Sequence, residues 1–262
     1  MGRIDTNDSA SKPRFPMPRL LRQWTVAPPR VEQPELLDLG EGTAEEIRQN
    51  LRDMHRANRW LGGHASLRRF LLPRLRRAAG SAPLRVLDLA CGAGHTPLLL
   101  AAWARRRRIS LRIVALDASR RLLGVVRDEL DCHAEISRLA ADARQLPLRP
   151  GSFDFVISTQ FLHHLDPAEL TSTLRALRSV CRGPIILNDI VRSPASAFLF
   201  RRGAPLFSQN RLTLHDGLAS IAQAYTPPEI REILDAADLP RARIYTHGLY
   251  HRMTVLIEPH AE

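Results

Sequence analysis

From position 84 onward, short apolar runs alternate with stretches whose apolar residues recur at helical spacing. The runs at 85–89, 112–116, 135–139, 153–158 and 184–189 are too short for buried helices and read as strands of a sheet covered on both faces. Helix starts are marked between and after them: Ser119 offers an N-cap, Asp166-Pro167 with Glu169 a cap and a first turn, and Thr226-Pro227 with Glu229 the same. Such alternation predicts the α/β class with a mostly parallel sheet. Two further runs, 243–246 and 252–257, are separated by Gly248 and predict a strand pair that finishes the sheet with an antiparallel edge.

Upstream of the first strand, Thr43 and Glu46 form a capping box, and Ile47, Leu51, Met54 and Asn58 recur on one face up to Trp60. Gly62-Gly63 ends that helix, and a second is expected over 64–79 with a kink at Pro73. Residues 1–34 mix Pro, Arg and Ser with little periodicity, which predicts a tail or an arm lying over the main body, so the folded domain is expected to run over 35–262. Between 191 and 225 the alternation breaks down. A connection that long in a compact domain usually carries function, and it is read here as a helical cap over an active site, with Phe198, Leu199, Phe200, Leu206 and Phe207 as apolar surface for an acceptor.

Composition narrows the class. Charged residues make up 25%, and the apolar stretch 97–104 stops far short of the ~20 residues a membrane span needs. Cys91, Cys132 and Cys181 stand far apart, which encodes neither a disulfide framework nor a thiolate zinc site and fits a reducing compartment. The first thirty residues lack the apolar core of a secretory signal, so the expected location is the cytoplasm. The net charge of +11 raises the question of a polyanionic partner. Lys12 is the sole lysine, however, so the charge is read as arginines scattered over a solvated surface, with the run Arg105 to Arg108 complementing the negative end of a helix.

The chemistry concentrates at three strand ends. In Asp88-Leu89-Ala90-Cys91-Gly92-Ala93-Gly94 a strand runs into a glycine turn and then a helix, so a ligand can approach the backbone closely. The position three beyond Gly94 is Pro97 rather than glycine, which departs from the dinucleotide fingerprint and argues against NAD. Asp117 ends the second strand, where doubly wound folds hold a ribose diol, and Asp142 with Ala143 follows the third. All three acidic positions fall at one edge of the sheet.

In this order, and with Ser152-Phe153-Asp154 through Leu162-His163-His164-Leu165 at the fourth strand, these residues resemble the class I S-adenosylmethionine-dependent methyltransferases. The likeness is to the broad small-molecule group that includes the ubiquinone- and menaquinone-biosynthesis type. It covers about 84–190 and implies a Rossmann-like, doubly wound, seven-stranded sheet with an antiparallel C-terminal strand, and S-adenosylmethionine as cofactor. It further implies that Gly92 and Gly94 line the methionine part, that Asp117 holds the ribose, and that Ala118 and Asp142 with Ala143 flank the adenine. Thr159 would pack near the sulfonium. Asp88 would order the glycine loop and the cofactor amine, or hold the loop alone. Asn58, Arg59 and Gly63 belong to a helix closing over the cofactor or merely to a helix end packed on the sheet.

The activated methyl group needs alignment and exclusion of water but no metal. An acceptor such as a phenol must still lose a proton. His163 and His164 are the catalytic candidates for that step, against a scaffold role common at this position. His215 with Asp216 is a second pair, and Arg211, Tyr225 and His247 are candidates to orient a substrate. Few aromatics are present, and Ser158-Thr159-Gln160-Phe161 stands where base-methylating enzymes carry an asparagine-proline motif, so base methylation is disfavoured. The expected activity is methylation of oxygen or carbon in a small aromatic, quinone-like or polyketide-like metabolite. The rivals are an RNA methyltransferase and a non-catalytic cofactor-binding protein. The expected partner is the small-molecule acceptor, with a homodimer left open.

Overall fold

The computed structural model describes residues 26–60, 62–248 and 251–259. The expectation of a tail at 1–34 therefore lies partly outside the described residues. Its described part, from Val26, runs over the body: Val31 N–H donates to Ala222 O (3.2 Å), and Arg30 Nη2 donates to the carbonyls of His163 (3.0 Å) and Leu165 (3.1 Å). The arm is thus tied to the domain before residue 35.

Helix α1 (Ala44–Trp60) starts on the predicted capping box, in which Thr43 N–H donates to Glu46 Oε2 (2.7 Å) and Glu46 N–H to Thr43 Oγ1 (3.2 Å). The second N-terminal helix is split. Leu67–Leu71 is wound as a π-helix, with Leu72 N–H reaching back to Leu67 O, and α2 (Leu72–Ala78) follows with Pro73 in its first turn. Pro73 has no N–H for the preceding turn, and the expected kink is realised as a change of winding.

The sheet has the order β3-β2-β1-β4-β5-β7-β6. Its strands are β1 (Leu84–Leu89), β2 (Leu111–Asp117), β3 (Ile136–Ala140), β4 (Phe155–Thr159), β5 (Ile185–Ile190), β6 (Arg243–His247) and β7 (Arg252–Ile257). The first five are parallel, while β7 pairs antiparallel with both β5 and β6. The C-terminal pair therefore inserts its second strand beside β5 and leaves its first at the edge.

Alternation along each strand feeds two cores. Leu87, Leu89, Val156, Leu187 and Val255 pack with α6 (Pro167–Val180) and α9 (Pro227–Ala236) on one face. Val86, Ile113, Ile157 and Ile186 pack with α1, α2 and α3 (His95–Arg107) on the other. Between β2 and β3 lie α4 (Arg120–Val125) and α5 (Arg127–Asp131). The break at 191–225 is α7 (Pro194–Phe207) and α8 (Arg211–Gln223), N-capped by Ser193 and Asn210. α8 is fastened to α1 through buried Asp53, which accepts from Thr213 Oγ1 (3.0 Å) and from Ser208 Oγ. Among the described residues no helix is long and apolar enough to cross a membrane.

The candidate active site

Strand order reverses between β1 and β4, and the crevice outside the C-terminal ends of such strands is where open α/β sheets bind ligands. A cleft of about 550 Å³ opens there. Asp88, Gly92, Asp117, Ala118, Asp142, Ala143, Thr159 and His164 line it, as does Asn58 of α1. Gly94 and His163, both candidates from sequence, do not.

The glycine turn is held from β2. Asp117 accepts the Gly92 N–H on Oδ2 (2.8 Å) and the Ser119 N–H on Oδ1 (2.8 Å), so one carboxylate fixes both loops. Gly92 has φ +49°, and a Cβ added there would meet nothing within 4 Å, so its open side is the cleft. Gly94 has φ +69° as the N-cap of α3, and a Cβ there would lie 2.8 Å from Leu130 Cδ2. This glycine serves the packing of loop on helix rather than contact with a ligand. Ala90 and Gln160, at the ends of β1 and β4, also carry positive φ (56° and 57°) on the cleft wall, conformations that L-residues hold only where the surroundings impose them.

The cleft is acidic. Asp88 Oδ2 is buried without a hydrogen-bond partner, and burial together with the Asp117 charge pushes this carboxyl well above the usual range. Burial also raises Asp117, against the two N–H bonds that favour its charge. Glu35, Asp38 and Asp142 complete five carboxylates around the walls, facing the single arginine Arg144, which itself pairs with Asp142 (2.7 Å) and Glu169 (3.0 Å). Thr159 Oγ1 is another buried atom without a partner. His64 and His95 line the α1 side, each held near about 4 by burial first and by the neighbouring histidine charges second, so both are neutral at pH 7.

At the other end of the cleft the N-terminal arm closes on β4 and β5. His163 is 1% exposed, and its Nδ1 sits 2.8 Å from Asp189 Oδ1, while its backbone N–H donates to Asp189 Oδ2 (3.1 Å). Burial alone would lower this imidazole's pKa, but Asp189 and Glu35 outweigh it and raise it to about 10. His164 stands beside it with Nδ1 on Asp38 Oδ2 (2.9 Å) and opens on the cleft. Glu35, Asp38, Asp189, His64 and His95 were not singled out from the sequence. The other candidates serve structure. Asp216 accepts the N–H groups of Leu36 (2.7 Å) and Leu37 (3.2 Å) and so anchors the arm, with His215 beside it. Tyr225 donates to Leu165 O (2.7 Å), Arg211 pairs with Glu46 and Glu41 on the surface, and His247 Nε2 meets Thr254 Oγ1 (3.0 Å) on the edge strands. Asn58 accepts from Arg252 Nη2 (3.1 Å), so the end of α1 both lines the cleft and packs on the sheet.

A family model described as a methyltransferase domain matches residues 86–183, which span the glycine turn, Asp117, Asp142 and the histidine pair. Over those residues, less than half of the chain, the protein matches a methyltransferase domain. S-adenosylmethionine is the cofactor of this domain. An uncharacterised methyltransferase of Synechocystis sp. is 33% identical over 110 residues, which are 41% of this chain and 48% of that protein. The malonyl-[acyl-carrier protein] O-methyltransferase of Geobacter sulfurreducens is 39% identical over 94 residues, 35% of this chain and 34% of that protein. The chain thus matches about half or less of these relatives' lengths. Two solved structures share the methyltransferase fold at low identity. The CMeT domain of the citrinin polyketide synthase has a TM-score of 0.57 at 15% identity, covering 78% of this chain and 52% of its own. A SAM-dependent methyltransferase from Aquifex aeolicus has 0.53 at 16%, covering 83% and 98%.

Proposed function

We propose that the protein transfers the methyl group of S-adenosylmethionine to an oxygen or carbon of a small aromatic, quinone-like or polyketide-like acceptor. The observation that supports this most is the buried, partnerless Asp88 Oδ2 beside Asp117 in a cleft walled by five carboxylates. Asp88 and Asp117, kept close together at the cost of raised pKa values, suit a ligand that brings its own cationic donors. The cleft volume lies within the usual range for small-molecule sites.

When bound, the cofactor supplies a methyl group already activated on a cationic sulfonium. In this reading Asp88 receives the cofactor's ammonium and Asp117 its ribose hydroxyls, using lone pairs left free by Gly92 and Ser119. The open face of Gly92 admits the methionine part. Ala118, Asp142 and Ala143 flank the adenine, and Thr159 packs near the sulfonium. His164, steadied by Asp38, takes the acceptor's proton, and His163 with Asp189 supports it from below. Methylation of RNA is disfavoured because the cleft is lined by five carboxylates against a single arginine, a surface that repels a polyanion. Oxygen and carbon both stay open as the methylated atom: one relative is an O-methyltransferase, and two further fold neighbours are carbon methyltransferases.

The test is transfer of label from methyl-tritiated S-adenosylmethionine to a panel of phenols, quinols and β-keto thioesters. A labelled product whose kcat falls by about 10²–10⁴ in His164→Ala, with cofactor affinity unchanged, supports the reading. Cofactor binding without label on any acceptor, or label on RNA alone, overturns it.

A further inference from the structure

Two imidazoles and a carboxylate converge where the arm meets the sheet. Glu35 Oε1 lies 3.5 Å from His163 Nε2 and 3.9 Å from His164 Nε2, and one ligand atom from each of the three residues lies within 4.8 Å of the others. Each imidazole has its Nδ1 on a carboxylate, Asp189 for His163 (2.8 Å) and Asp38 for His164 (2.9 Å). In the neutral imidazole that contact keeps the ring proton on Nδ1 and leaves the Nε2 lone pair on the Glu35 side, the arrangement that metal-ligating histidines obtain from carboxylates behind them, so an ion entering here displaces the proton that Asp189 and Glu35 otherwise hold on His163. Ser220 Oγ donates to Glu35 Oε1 and fixes the third group.

A second observation points to a ligand. His163 Nε2 is buried, on a side chain only 2% exposed, and has no well-formed hydrogen bond: its partner is Glu35 Oε1, too distant at 3.5 Å for a good one. Ligands about 2.0–2.2 Å from a tetrahedral ion stand roughly 3.3–3.5 Å apart. Glu35 already stands 3.5 and 3.9 Å from the two imidazole nitrogens, and the imidazoles, within 4.8 Å of each other, close by up to about 1.5 Å when an ion draws the three together. Three carboxylates around two imidazoles also leave a negative charge that a dication offsets.

We propose that Glu35, His163 and His164 form a three-ligand site for one divalent transition-metal ion of the zinc type, with a coordination position open to the cleft. Three protein ligands with one open position is the format of a catalytic rather than a structural site. Glu35 and His164 both line the cleft, so the open position faces the acceptor. On the methyltransferase reading, an acceptor hydroxyl facing it ionises at lower pH, with the proton passing to solvent instead of to His164. Binding of the ion itself does not depend on that reading.

The experiment is titration of the chelator-stripped, untagged chain with Co²⁺, read by its visible ligand-field absorption, followed by displacement with Zn²⁺. The expected result is one equivalent per chain. Asp38→Asn should weaken affinity by about 10- to 100-fold as a supporting carboxylate, and Glu35→Gln by more. S-adenosylmethionine affinity is measured on the same samples. No stoichiometric band while the cofactor still binds overturns the metal site and leaves the methyltransferase reading standing. A band with no cofactor binding supports the site and removes that reading. A band that survives Glu35→Gln but disappears in His64→Ala overturns the site by moving the ion to the histidines of the opposite wall.

Discussion

Replacing Asp117 by Asn removes one charge from the cleft at constant side-chain size. The carboxylate bonds to Gly92 and Ser119 N–H on its inner side, and its remaining lone pairs face the cavity. A hydrogen bond to a charged acceptor contributes about 1.5–3 kcal/mol. Losing one ribose contact of that strength weakens S-adenosylmethionine binding by about 10- to 150-fold. The effect on the unliganded fold runs differently. Burial already disfavours the ionised form of Asp117, and its charge raises the carboxyl of Asp88, so a neutral side chain relieves that cost while the Asn carbonyl keeps one of the two N–H contacts. The net change should stay within about 1 kcal/mol, or roughly 2–4 °C in Tm. Calorimetric titration of wild type and Asp117→Asn, paired with melting of the unliganded proteins, separates the two effects. Affinity within threefold of wild type at unchanged Tm would refute the ribose assignment. Affinity lost together with a large fall in Tm would assign Asp117 to holding the loop alone.

Further expectations concern the same cleft. Asp88 has its carboxyl raised in the folded state, so it binds more protons folded than unfolded between its ordinary value near ~4 and its folded value. Its contribution therefore improves as pH falls from the folded value toward the ordinary one, and Asp88→Asn should flatten that part of a Tm-against-pH curve; an unchanged curve would show that Asp88 does not carry it. Gly92→Ala and Gly94→Ala share a left-handed backbone cost of about 1–2 kcal/mol, but only Gly94→Ala collides with Leu130, which adds about 1–3 kcal/mol. Gly94→Ala should thus melt lower, while Gly92→Ala should lose cofactor affinity beyond what its Tm explains; equal behaviour in both assays would contradict the division of roles. Tyr225→Phe removes a buried bond to Leu165 O and should cost about 1 kcal/mol in denaturant titration, with cofactor affinity within twofold of wild type.

The parts of this site that were legible in the sequence are those encoded by neighbours along the chain. The turn after β1, Asp117 and the Asp142 loop each follow a strand directly, and the strand fixes where they emerge. Strand ends moved by up to two residues, as at β4, because the apolar run in 153–158 starts before its ladder does, with Phe153 forming only an isolated bridge to Cys181. Gly94 looked like its neighbour Gly92 until the position of Leu130 was known. Glu35 and Asp38 were not legible at all. They sit in an aperiodic segment and reach the histidine pair through long-range ties: Asp216 holding Leu36 and Leu37, and Arg30 spanning to His163 and Leu165. The stretch 191–225 was expected to cap the active site and offer Phe198, Leu199, Phe200, Leu206 and Phe207 to an acceptor, but none of its residues lines the cleft. Four of those five side chains are exposed, Phe200 packs against Gly217 within the pair of helices, and most of the polar candidates of this stretch are consumed in fastening the arm and α1.

The most direct test of the central claim is a crystal structure of the complex with S-adenosylhomocysteine. The account predicts the ribose hydroxyls on Asp117, the amino group on Asp88, the adenine between Ala118 and Ala143, and the sulfur turned toward the end of the cleft where His164 and Glu35 stand. A ligand bound with its sulfur away from those two residues, or bound outside the crevice between β1 and β4, would contradict it.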